Sequence, residues 1–145
     1  MSDQLTERLN RILPKLISDE LLSGSGLGNE IGFYVFDYPA EDELRVREHI
    51  QFLVEHLPKS KPGIRVKHVN LFDLVIDYLK SRNLLDRAIQ MQRTEGDEAM
   101  FKALSAPLHE SRLAQVFAEV AQPAQHDLVL VSGVQLLQPY LVKLA

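Results

Sequence analysis

Over residues 3–17 the apolar positions Leu5, Leu9, Ile12, Leu13 and Leu16 recur at intervals of three and four, the stripe of an amphipathic helix. Pro14 should kink that helix or start a second segment there, because proline lacks an N–H and its ring crowds the preceding turn. Residues 23–29, with glycines at 24, 26 and 28, break any helix and read as a loop. Residues 31–36 are apolar on both parities and rich in aromatic and β-branched side chains, which predicts a first strand covered on both faces. A helix follows over 41–57, with Val46, Ile50, Leu53 and Leu57 on one face, and Pro58 with the lysine-proline-glycine stretch 59–63 should end it. The second strand, 64–69, alternates Arg65 and Lys67 with Ile64 and Val66, so one of its faces should be wet.

Asn70 can cap the next helix, whose stripe is Leu74, Tyr78, Leu85 and Ile89, with a break expected near 81–83. Helical patterns recur over 98–104 and 109–121, Pro123 closing the latter. Residues 128–131 predict a third, buried strand, after which Gly133 turns the chain into a last helical segment running to Ala145. Strand and helix in alternation argue for a single α/β domain over 1–145, three layers deep, with a mainly parallel sheet. The two apolar strands and the amphipathic one suggest the order 2-1-3, the first strand central and the second at an edge. In such a sheet, ligands sit at the carboxyl ends of the strands beside the order reversal. Those tips are Asp37, Tyr38 and Pro39 after the first strand, and Ser132 and Gly133 after the third.

Composition narrows the function classes. Cysteine is absent, which removes disulfides, thiolate metal sites and cysteine nucleophiles. Sixteen basic against twenty acidic residues give a net charge of −4, so autonomous nucleic-acid binding is not expected. The one basic cluster, Lys59, Lys61, Arg65 and Lys67, has no acidic neighbour in sequence and reads as a solvated edge. The first ten residues mix acidic side chains with leucines, unlike a secretory signal, and no apolar run approaches the roughly 20 residues of a membrane span. A cytoplasmic protein without membrane contact is expected.

The glycines at 24, 26 and 28 precede the first strand, whereas a phosphate loop must follow a strand and open a helix. No Gly-x-x-x-x-Gly-Lys motif occurs. The loop in the phosphate-binding position carries Asp37, Glu41, Asp42 and Glu43, which would repel an anion; they could hold a hard cation, but favourable charge at a helix start accounts for them as well. His49 and His56, about 10 Å apart along one helix, are too distant to share a metal and read as surface residues. His68 reads as a half-buried, hydrogen-bonded histidine, and Ser132, with no nucleophile elbow around it, as a turn residue. No cofactor, metal or catalytic set is expected. Asp37, Tyr38, Pro39, Glu41, Asp42, Ser132 and Gly133 remain as a candidate ligand or partner surface.

The loop Gly26-Leu27-Gly28-Asn29-Glu30, the strand Phe33-Tyr34-Val35-Phe36 with its turn Asp37-Tyr38-Pro39, and the acidic helix start at Glu41-Asp42-Glu43 resemble the BrxB family of bacterial BREX phage-defence systems. The later strand and turn, Leu128 to Val134, agree with it. That resemblance implies a noncatalytic adaptor in a phage-defence and DNA-modification complex, partnered by other BREX subunits, first among them the phosphatase-like PglZ. The alternative is a degenerate nucleotide- or small-molecule-binding domain with its ligand at the strand tips. BrxB proteins continue to a further strand, so a C-terminally truncated form is expected. Its third strand would then lie at a bare apolar edge, which predicts self-association of this chain.

Overall fold

The computed structural model describes residues 3–18 and 34–134, which are mostly helical around a small sheet. The glycine-rich loop, residues 31–33 and the helix expected from Gly133 to Ala145 lie outside the described residues, apart from the first positions of that helix. Two strands, β1 (Val66–Asn70) and β2 (Leu128–Ser132), pair directly and in parallel. A small α/β arrangement is therefore present, but the order 2-1-3 is not: no strand stands between these two. Residues 34–39 have no regular structure, and Val35 is 93% exposed where a strand covered on both faces was expected. Aromatic and β-branched content favours a pleated surface only where a neighbouring strand supplies the ladder. Among the described residues, residues 34–36 have none.

The chain groups into two compact units, Met1–Lys67 with Ala124–Leu128, and His68–Pro123 with Val129–Ala145. In the first, α1 (Gln4–Asn10) starts at Asp3, whose carboxylate accepts the Thr6 N–H at 2.8 Å, and α2 (Ile12–Leu16) follows after a break at Arg11. The break falls three residues before Pro14, not at it. A proline ring crowds the residue four positions back, here Asn10, where α1 ends. Pro14 itself sits in the first turn of α2, where its missing N–H would have had no helical partner. A 3-10 turn (Ala40–Asp42) leads into α3 (Glu43–Ser60). Leu5, Leu9 and Val46 form the core here, with Ile12, Phe36, Tyr38 and Ile50 packed against it. Pro58 lies inside α3 and does not end it at Leu57. In a last turn the missing N–H removes one bond, and the Lys61 N–H reaches the Leu57 carbonyl at 2.9 Å to close the helix beyond it.

In the second unit, α4 (Leu71–Ser81), α5 (Leu85–Glu95), α6 (Asp97–Leu104) and α7 (Glu110–Ala121) follow β1. Asn70 caps α4 as expected, its side chain accepting the Asp73 N–H at 3.1 Å. The expected break follows Ser81, with Asn83 in the left-handed region at φ 56°. Gln122, at φ 45°, ends α7 one residue before Pro123. Val69 of β1 joins Leu74, Val75, Leu79, Ala88, Met100, Leu104, Leu108 and Ala121 in one apolar core. Burying such side chains supplies the main driving force for holding four short helices together.

Candidate functional site

The two halves of the sequence-derived surface fall in different units: Asp37, Tyr38, Pro39, Glu41 and Asp42 in the first, Ser132 and Gly133 in the second. In the first, the turn before α3 is held by its own side chains. The Tyr38 hydroxyl donates to Glu43 Oε2 at 2.7 Å, and burial together with that carboxylate pushes the phenol up to about 12. Glu43 also meets Arg47 one turn along α3. The Asp42 N–H donates to the Pro39 carbonyl at 2.9 Å, while its carboxylate lies 3.6 Å from Arg45 and makes no capping bond. The Asp37 carbonyl accepts from the Arg8 guanidinium, and Glu41 is exposed. Arg45, which sequence reasoning passed over, ties α3 to the start of α1: it pairs with Asp3 at 2.6 Å and donates to Thr6 Oγ1 at 2.9 Å. Among the described residues no group of three or more histidines and carboxylates converges as a metal site.

In the second unit the strand tips are filled. His68 Nε2 and Ser132 Oγ lie 2.7 Å apart, joining two residues that the sequence presents separately. Burial lowers the His68 pKa, against the opposing charge of Asp73, and so favours the neutral imidazole. Gly133 is buried at φ +77°, and a Cβ there would lie 2.3 Å from Asn70 Oδ1 and 2.9 Å from the Phe72 nitrogen. The polypeptide after β2 is thus pressed against the cap of α4. Where a doubly wound fold would admit an anion, Asn70 offers an acceptor oxygen and Asp73 a carboxylate in the first turn. The signal for this arrangement was in the sequence, in a histidine two residues before the cap and a serine-glycine pair after a strand, but their contact is a tertiary fact.

Elsewhere, His49 is not a surface residue. It is half-buried, with Nε2 buried and unpartnered, and burial lowers its pKa. His56 stacks on Phe52 at 4.1 Å between ring centroids. No helix among the described residues is long and apolar enough to cross a membrane.

Residues 67–143 match the family model described as BREX protein BrxB. The chain is 38% identical over 134 residues to a BREX protein BrxB of Escherichia coli O9:H4 (strain HS), covering 92% of this chain and 66% of that protein. It is 33% identical over 135 residues to a BREX protein BrxB of Bacillus cereus (strain H3081.97), covering 90% and 69%. It therefore spans about two-thirds of the length of these relatives. No solved structure matches it. By family model and by both relatives, the chain belongs to the BrxB family of BREX proteins.

Proposed function

We propose that this chain is a noncatalytic, cytoplasmic, partner-binding subunit of a BREX phage-defence complex, with the PglZ-like protein as its first partner. Family membership supports a place in that system. The observation that carries the adaptor reading is the state of the polar side chains at both candidate surfaces. Tyr38 with Glu43, His68 with Ser132, and Asn70 with the Asp73 amide are each engaged in holding backbone or neighbouring side chains. Catalysis needs a nucleophile or base directed at a substrate, with a group to stabilise developing charge. These pairs are directed at the protein itself.

Co-expression with the other proteins of its operon, followed by purification on a tag carried by this chain, tests the reading. A stoichiometric complex with the PglZ-like protein is expected, and purification of this chain alone at micromolar concentration would overturn it. A nucleotide- or small-molecule-binding domain would instead show a melting temperature raised by saturating ligand. With Asn70 and Asp73 at the start of α4, no rise is expected with nucleotides.

A further inference from the structure

In the first unit, residues 34–36 run without regular structure beside α1 and α2, and their alternate rings meet cations from those helices. The Lys15 ammonium lies 4.9 Å from the Tyr34 ring centroid, and the Arg8 guanidinium 4.6 Å from that of Phe36. Between the two rings Val35 is 93% exposed, and its backbone N–H and C=O make no hydrogen bond to any described residue. A β-branched, exposed residue flanked by two aromatics that hold cations, with its backbone groups unpaired among the described residues, is a template for pairing with another strand. Arg11, also exposed, lies between Arg8 and Lys15 in sequence, so the rim of this edge is basic on a chain of net charge −4.

We propose that residues 34–36 are an edge onto which an extended, acidic segment of a partner subunit pairs, its backbone bonding to Val35 and its carboxylates meeting Arg8, Arg11 and Lys15. This rests on the adaptor reading above and names the surface and the chemistry of the partner. An acidic peptide fits better than a nucleic acid. Three cations with Glu7 and Asp37 beside them are too few to track a run of phosphates, and both rings already carry a cation. They suffice for two or three carboxylates on an extended strand, where charge complementarity sets partner and register.

The test uses the tagged chain co-expressed with its operon proteins. The double variant Arg11→Glu, Lys15→Glu and the single variant Val35→Asp should each retain about tenfold less partner than the unchanged chain, while Arg11→Lys with Lys15→Arg should retain it fully. Circular dichroism of each purified variant establishes that it is folded. Carbodiimide coupling of the intact complex should join Lys15 to an Asp or Glu of the partner, and the Val35 amide should exchange more slowly in the complex. If the unchanged chain retains no partner, the adaptor reading falls and this inference with it. If it retains a partner that the folded charge-reversal and Val35→Asp variants hold equally well, the surface is wrong while the adaptor reading stands. Retention that disappears on nuclease treatment would assign the edge to nucleic acid and overturn the acidic-segment proposal.

Discussion

Arg65 and Asp127, 62 residues apart in sequence, are joined by three hydrogen bonds: the Arg65 amide to Oδ2 at 2.9 Å, Nη2 to Oδ1 at 3.0 Å and Nε to Oδ2 at 3.3 Å. The Arg65 carbonyl in turn accepts the Asp127 and Leu128 N–H groups. The pair therefore fixes the register in which β2 begins beside the start of β1. It also places a carboxylate against the basic cluster Lys59, Lys61, Arg65 and Lys67, which has no acidic neighbour along the sequence.

Hydrogen bonds from Arg65 hold the Asp127 carboxyl below its ordinary value of 3.8. A folded-state pKa lowered in this way contributes stability that is present above the unfolded value and is lost as pH falls through the folded one. Both groups are exposed, so the effect is screened by salt. Asp127→Asn should lower the melting temperature at pH 7 in low salt, and the difference from the unchanged protein should shrink in 1 M salt and as pH falls below 3.8 through the lowered folded value. A difference independent of both would mean that the substitution acts through the backbone bonds alone.

Gly133→Ala combines a positive φ with a Cβ placed 2.3 Å from Asn70 Oδ1. Strain and overpacking together should cost on the order of 3 kcal/mol. Gly96 lies at φ 93° and ψ 176°, a region essentially confined to glycine, yet a Cβ there meets nothing within 4 Å, so Gly96→Ala should carry backbone strain alone, about 2 kcal/mol, and lose less than Gly133→Ala. Urea unfolding of the two variants measures the gap, and equal losses would show that Gly133 is not pressed against the cap.

His68 and His49 both have folded-state pKa values lowered, chiefly by burial. Between its lowered folded value and the ordinary 6.5, each histidine binds more protons in the unfolded chain. Stability is then full above about 6.5 and declines as pH falls toward the folded values. Denaturant unfolding at several pH values between 4.5 and 8 should show that slope, and His68→Gln should flatten it. An unchanged slope in His68→Gln would place the pH dependence on other groups.

Leu57 has no exposed surface, whereas Leu44 on the same helix is 69% exposed. Leu57→Ala should cost about 3 kcal/mol, the transfer of the lost methyls plus the cavity they leave. Leu44→Ala should change stability by less than about 0.5 kcal/mol. Chemical denaturation of both settles the order, and comparable losses would contradict the placement of α3.

Periodicity along the chain by itself determined the helices. Apolar residues at intervals of three and four mark α3, α4 and α7, Asn70 marks a start and Pro123 follows a stop, because the 3.6-residue repeat and the capping bonds are local. The strands at 64–69 and 128–131 were legible to within a residue or two for the same reason. What the tertiary structure decided was which strands pair. Residues 34–36 carry strand composition but lie against α1 and α2, since a strand needs a partner and two cations offer their rings another contact. Helix limits near proline were also settled by context: Pro14 and Pro58 both lie where the lost bond is a terminal one. The candidate surface divided in the same way. Sequence placed Tyr38 and Ser132 at chain turns, but only folding engaged them with Glu43 and His68, because a side chain's partner is set by packing between segments that sequence spacing does not encode.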